Sequence, residues 1–169
     1  MPEIPEEMKT RGRPADPIFL PREWLYRRVP HINWDDDEVL IEAIDLPDMS
    51  VNRQKYGPPQ WVRLNSEEYA DWGVIGFQVA SLPPPIQQYG IFMYDFRPVH
   101  SPLSKNYPHT EVQAYETHLE RLENPVHITE DLADLLKPDV LLRFRENLVR
   151  KCKIIIKAYS RVDEANCTS

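Results

Sequence analysis

Glycine is scarce in this chain, with five residues in 169 against seventeen prolines. Turns are therefore set by the fixed φ of proline more than by the freedom of glycine, and stiff connections are expected. Cysteine is scarcer still: Cys152 and Cys167 make no disulfide framework, and neither has a partner at metal-ligand spacing, which points to a reducing cytoplasm. Long hydrophobic runs are missing as well. No stretch approaches the roughly 18 to 20 apolar residues that cross a bilayer, and Met1 to Arg13 alternates acids, bases and proline without the apolar centre of a signal peptide. A cytoplasmic protein with no membrane partner is expected. Positive charge is also in deficit, since 20 Lys and Arg face 27 Asp and Glu for a formal charge of −7. That balance opposes nonspecific nucleic-acid binding by the molecule as a whole.

What is present is globular material, 41% hydrophobic and 28% charged, enough for one core. The expected organisation is a flexible proline-rich arm over 1–21, a single domain over 22–160 and a flexible tail over 161–169. In the arm, Ile4, Met8 and Ile18-Phe19-Leu20 are the only apolar groups. They are too few to offset the entropy of ordering the chain, so disorder to about residue 17, relieved against a partner, is the sequence-based expectation.

Trp24-Leu25-Tyr26 reads as a first strand, while Val39 to Ile44 fits strand and helix alike. Trp61 to Leu64 reads as a short strand, and Ser66-Glu67-Glu68-Tyr69 as one helical turn with a serine cap and acids at its positive end. Gly73 to Ala80 and Tyr89 to Phe96 are the strongest strands, rich in Val, Ile, Phe and Tyr. Pro83-Pro84-Pro85 breaks any continuous ladder between them, leaving a stiff hairpin or a longer crossover. Glu111 to Glu116 alternates as a short, half-buried strand does. Thr129 is placed to cap a helix, and Pro138 opens a longer one to about Ile156, with Leu141, Phe144, Leu148, Cys152 and Ile155 on its apolar face. The expected fold class is α+β: a small, mainly antiparallel sheet with C-terminal helices packed on it. Trp61, Phe77, Val79, Phe92, Tyr94, Phe144 and Leu148 are expected to share its core.

Three polar clusters lie beside these strands: Tyr26-Arg27-Arg28, Met49-Ser50-Val51-Asn52-Arg53, and Asn106-Tyr107-Pro108-His109-Thr110-Glu111. Rigid backbone there can hold side chains in a fixed constellation. Arg27, Arg28, Ser50, His109 and Glu111 are the candidate catalytic residues. His100, His109, His118 and His127 recur every nine residues, but nine steps turn neighbours to opposite sides of a helix or a strand, so no metal site is assigned. Asp35-Asp36-Asp37-Glu38 lacks the alternating ligands and glycine of a calcium loop and reads as a solvated turn. Nothing calls for a cofactor. On the last helix Arg143, Arg150, Lys153 and Lys157 fall in one sector opposite Leu141 and Phe144. The ordinary reading is a solvated face with cations near the negative helix end. The functional reading is docking to an acidic protein partner, with nucleic acid the weaker choice because no aromatic side chain interrupts the stripe to stack bases.

Two resemblances attach to these clusters. An Arg near the end of a first strand, a Ser on a second and a Glu on a later one are similar to the Arg, Ser, Glu arrangement of ADP-ribosyltransferases, here Arg27 or Arg28, Ser50 and Glu111. The resemblance implies an arginine on cofactor phosphate, a serine ordering the nicotinamide pocket and a carboxylate facing developing positive charge on ribose. Gln113 stands where the Glu-x-Glu pair common in that group would need a second acid. More widely, Leu25 to Arg28, Ser50-Val51, and Pro102-Leu103 through Asn106 to His109 resemble an uncharacterised bacterial family with no activity to carry over. A small accessory protein acting through protein–protein contacts is the leading expectation, and an ADP-ribosyltransferase-like enzyme or inactive relative is the alternative.

Overall fold

The computed structural model describes residues 2–121 and 124–158. Its centre is a curled antiparallel sheet in the order β10-β5-β1-β4-β8-β7-β6, with β9 also paired to β8. The strands are β1 (Trp24–Val29), β4 (Met49–Arg53), β5 (Gly73–Gln78), β6 (Ile86–Gln88), β7 (Phe92–His100), β8 (His109–His118), β9 (Val126–Ile128) and β10 (Lys153–Ile156). A separate hairpin, β2 (Trp34–Asp35) with β3 (Glu38–Val39), turns through the acidic run, where Asp36 takes φ +51°. Among the described residues one α-helix occurs, α1 (Pro138–Val149), with short 3-10 turns elsewhere.

The expectation of an α+β fold with C-terminal helices is thus overturned: the protein is mainly β, a half-barrel with one helix. The helix opens at Pro138 as the sequence indicates but stops at Val149. Beyond it Lys153-Ile154-Ile155-Ile156 pairs with β5. Three consecutive β-branched side chains lose χ1 freedom in a helix and suit a strand, a preference masked by the three- and four-residue spacing of Leu148, Cys152 and Ile155. The segment after Thr129 is a 3-10 turn, Glu130–Leu135, and the threonine side chain makes no capping hydrogen bond. Trp61 also lies in a 3-10 turn, Pro59–Arg63, because Pro59 presets its first φ. The undecided Val39 to Ile44 stretch divides between β3 and a 3-10 turn, Ile41–Ala43.

Connectivity differs from expectation at the proline run. β5 and β7 are not neighbours; after a 3-10 turn at Val79–Ser81 the prolines carry the chain across to β6, which forms the hairpin with β7. Tyr89 and Gly90 both take positive φ, 55° and 66°, and Ile91 N–H donates to the Gln88 carbonyl at 3.2 Å. Such a turn matches the strand twist, and glycine supplies one of its two left-handed positions without penalty.

Alternation sorts the faces. Leu25, Val29, Met49, Val51, Ile75, Phe77, Tyr94, Phe96, Val112 and Ala114 point into the concave side, closed by Val140, Phe144 and Leu148 of α1. Phe96 and Phe144 meet with ring centroids 4.4 Å apart. Fully burying an aromatic or leucine side chain contributes about 1.5 to 3 kcal/mol. Of the expected core, Phe77, Tyr94, Phe144 and Leu148 are buried here, Val79 and Phe92 pack at its margin, and Trp61 is absent from it. On the convex side Tyr26, Val62 and Val74 form a smaller cluster with Trp24 and Ile156.

Residues 2–20, expected as a free arm, lie along the body. Met8 is fully buried, its carbonyl accepts Tyr107 N–H at 2.7 Å, and Thr10 N–H donates to the Ser104 carbonyl at 3.0 Å. Arg53, also fully buried, grips the segment by donating to the carbonyls of Asp16 at 2.9 Å and Ile18 at 2.6 Å. The expected tail over 161–169, with Cys167, lies outside the described residues.

Candidate functional site

The three polar clusters meet where β1, β4 and β8 run side by side. β1 pairs with β4 only at Leu25↔Arg53 and Tyr26↔Asn52, while it follows β5 over its whole length. Beyond Tyr26 the two strands part, and the guanidinium of Arg27 fills the fork. Its Nε donates to the Ala43 carbonyl at 2.6 Å and its Nη1 to the Ser50 carbonyl at 3.0 Å. Burial pulls its pKa down to about 10, against the opposing charge of Asp45.

Arg27 shares a strand face with Leu25 and Val29, so Arg28 is the arginine on the convex face with Ser50, His109 and Glu111. Ser50 lies opposite Glu111, and Asn52 opposite His109. The β1–β4 pairing ends at Tyr26↔Asn52, so Arg28 and Ser50 face one cavity across the fork. Arg28 Nη1 donates to the Val62 carbonyl at 3.2 Å, and its guanidinium lies over the Tyr69 ring at 4.0 Å. His109 Nε2 is 3.3 Å from Ser50 Oγ, and its Nδ1 is 2.8 Å from the Ser101 carbonyl. Asn52 and Asn106 exchange amide hydrogen bonds at 3.0 and 2.9 Å, pinning the third cluster to β4. Glu111 accepts from Gln113 at 3.0 Å, and Gln113 accepts from the Tyr115 hydroxyl at 2.6 Å.

Arg27, Arg28 and Ser50 together line a cavity of about 360 Å³, with Tyr69, Trp72, Glu42, Asp45, Asp48 and Glu130 among its other walls. A second hollow of about 360 Å³ shares Arg28 and Tyr69 and continues to Lys105 and Asn106. His109 and Glu111 stand beside the first cavity rather than in its lining. Two of the wall carboxylates are engaged elsewhere, Asp48 by His127 at 2.9 Å and Asp45 by Arg145 at 3.6 Å. Sequence reading missed Tyr69 and Trp72. Their signal was available, because Ser66 marks the 3-10 turn Glu67–Tyr69 and an aromatic residue three places on, Trp72, packs against Tyr69 with ring centroids 4.7 Å apart. The four wall acids had no local signal: Glu42, Asp45 and Asp48 come from the one stretch between β3 and β4 and Glu130 from the 3-10 turn after β9, which only the fold brings together.

The histidines at nine-residue spacing do not gather. His100 is bonded to Asp16 N–H and the Tyr107 carbonyl, His118 packs on Phe92, and His127 stacks on Tyr115. No group of three or more His, Cys, Asp or Glu side chains able to hold a metal occurs among the described residues. No helix among them is long and apolar enough to cross a membrane.

The basic stripe is redistributed by the early end of α1. Arg143 and Arg150 remain on or next to the helix, Lys153 opens β10 and Lys157 follows it; all four are exposed. Arg143 donates to the Gln87 carbonyl at 3.3 Å, and Lys157 pairs with Asp37 at 2.8 Å. Arg150 and Lys153 come together in a groove of about 480 Å³ with Asp37, Glu38, Val39, Ile75, Val149, Cys152 and Ile154. β10 is an edge strand among the described residues, with Ile154 and Ile155 exposed. Compared with protein-family models, with curated proteins and with solved structures, the chain matches none.

Proposed function

We propose that the protein binds a phosphate-bearing small molecule of the nucleotide class in the cleft between β1, β4 and the Tyr69–Trp72 turn, and acts on it there. The observation that carries this is the convergence of Arg27, Arg28 and Ser50 on one cavity. Guanidinium groups match phosphate in both charge and geometry. Glu42 and Glu130 offer acceptors for ribose hydroxyls, and Tyr69 and Trp72 offer aromatic surface for a base. In the narrower form implied by the ADP-ribosyltransferase resemblance, the ligand is NAD, with Arg28 on its phosphate and the cross-strand pair Ser50 and Glu111 toward the nicotinamide ribose.

Calorimetric titration of the full chain with pyrophosphate, ADP-ribose and NAD tests the reading. Arg28→Ala removes a charged hydrogen bond and lowers affinity by roughly 10- to 100-fold. Absence of binding, or binding indifferent to Arg28, contradicts it.

A second reading has its own observation. The open edge of β10, with exposed isoleucines and with Arg150 and Lys153 on one groove, suits an extended acidic segment of a protein partner that adds a strand. Reversing Arg150 and Lys153 to Glu then slows association and flattens its salt dependence, while the melting curve stays native. An unchanged on-rate returns this face to a plain solvated cover.

A further inference from the structure

The geometry points to Ser50 as a nucleophile and His109 as its general base, acting on a phosphate ester held in the cleft; this rests on the reading of the cleft as a phosphate site. The Ser101 carbonyl, 2.8 Å from His109 Nδ1, can only accept, so in the neutral ring Nδ1 carries the proton and Nε2 presents its lone pair. That lone pair faces Ser50 Oγ at 3.3 Å, and the hydroxyl donates to it. Nucleophile, base and orienting acceptor thus stand in line, at the looser spacing common in ligand-free sites.

The ring has little freedom to leave this position. His109 is 8% exposed, and Ser101 N–H donates to its carbonyl at 3.1 Å. Ser50, by contrast, is half-buried and lines the cavity. Arg27 bonds the carbonyl of the same serine, and Arg28 shares its cavity. An anion drawn to the Arg28 guanidinium therefore arrives beside Ser50, whose hydroxyl has an imidazole behind it. A serine with a purely structural hydrogen bond would need neither the cavity nor the cations.

In the reaction, Ser50 Oγ attacks phosphorus, and an O–P bond forms as the bond to the leaving oxygen breaks. The serine proton passes to His109 Nε2, and the leaving oxygen, in line on the far side of phosphorus, takes a proton from solvent. Water then attacks from that far side and loses its proton to solvent, while the imidazolium returns its proton to Ser50 Oγ as the O–P bond to the serine breaks. Arg28 offsets charge on the non-bridging oxygens through the transfer.

A biotinylated fluorophosphonate, mapped on the full chain by peptide mass spectrometry, tests this directly. Ser50 is expected to displace fluoride and carry the label. Ser50→Ala removes the label, and His109→Gln slows labelling by about 100-fold or more while circular dichroism stays native. Should either variant fold poorly, Ser50→Cys with His109 intact supplies a second arm: iodoacetamide alkylates it faster at neutral pH than it does free cysteine, and a rate no greater than that of free cysteine overturns the assignment. An unlabelled Ser50 in folded protein, or equal rates with and without His109, overturns the assignment. If pyrophosphate still binds in an Arg28-dependent manner while Ser50 stays inert, the dyad falls and the cleft reading stands. If neither pyrophosphate nor nucleotide binds, the cleft reading falls as well.

Discussion

Replacing Arg53 with alanine should unlock the N-terminal segment. The guanidinium is fully buried and makes a fork with Glu23, Nε to Oε1 at 2.7 Å and Nη2 to Oε2 at 2.9 Å, while also holding the Asp16 and Ile18 carbonyls. It lies 3.9 Å from the centre of the Phe19 ring. Truncation leaves Glu23, whose side chain is 8% exposed, without its cation, and strips two carbonyls of their donor. Removing one partner of a buried pair costs about 3 to 5 kcal/mol, because the remaining charge is uncompensated. For a chain of this size each kcal/mol moves Tm by about 2 to 4 °C, so the fall should be roughly 6 to 20 °C. Scanning calorimetry reads the loss, and amide exchange across residues 13–20 locates it. A Tm close to the parent value, or exchange there as fast in the parent as in Arg53→Ala, would refute the view that Arg53 anchors this segment. Fast exchange in the parent monomer would instead fit the sequence-based expectation of a disordered arm.

Three further outcomes follow from burial and charge. Phe144→Ala, at the centre of the concave core, should cost about 3 to 5 kcal/mol in chemical denaturation, whereas Phe92→Ala, at the margin, should cost clearly less; equal losses would mean the core is misplaced. Asp16 is held below the usual carboxylate range by hydrogen bonds from Lys55, Tyr56 and the Ile18 amide. A depressed folded value contributes stability above the unfolded value that is lost as pH falls through the folded one. Acid titration of Tm should therefore be shallower in Asp16→Asn, and parallel curves would contradict the pairing. Burial pushes the Cys152 thiol up to about 12, so in a Cys167→Ser background it should react with Ellman's reagent at neutral pH far more slowly in the native state than after unfolding; equal rates would contradict the raised value.

How much of this was legible in the sequence differs by element. β1, β5 and β8 were readable because alternation and β-branched or aromatic side chains agreed there. The C-terminal helix was overextended because Leu148, Cys152 and Ile155 satisfy a helical spacing even though Lys153 to Ile156 pair with β5. Periodicity records which side chains are apolar, and it is blind to a neighbouring strand edge waiting to be covered. The β5–β7 hairpin failed for a related reason. The proline run marked a break, yet only the positions of β1 and β10 decide which strands flank β5. At the site, Arg28, Ser50, His109 and Glu111 were legible as polar residues interrupting strand-like segments. That Arg27 would turn to the opposite face, and that Tyr69 and Trp72 would wall the cavity, depends on where β1 and β4 part. Arg53 carried a quieter signal. It continues the Met49, Val51 alternation onto the buried face, where an arginine requires carboxylate and carbonyl partners.

Chemical-shift mapping of the isotope-labelled full chain during titration with ADP-ribose tests the central claim most directly. The cleft reading predicts saturable shifts concentrated at the amides of Arg27, Arg28, Ser50, Tyr69 and Trp72, and their loss in Arg28→Ala. Shifts confined to Lys153–Ile156, or no shifts at millimolar ligand, would contradict it.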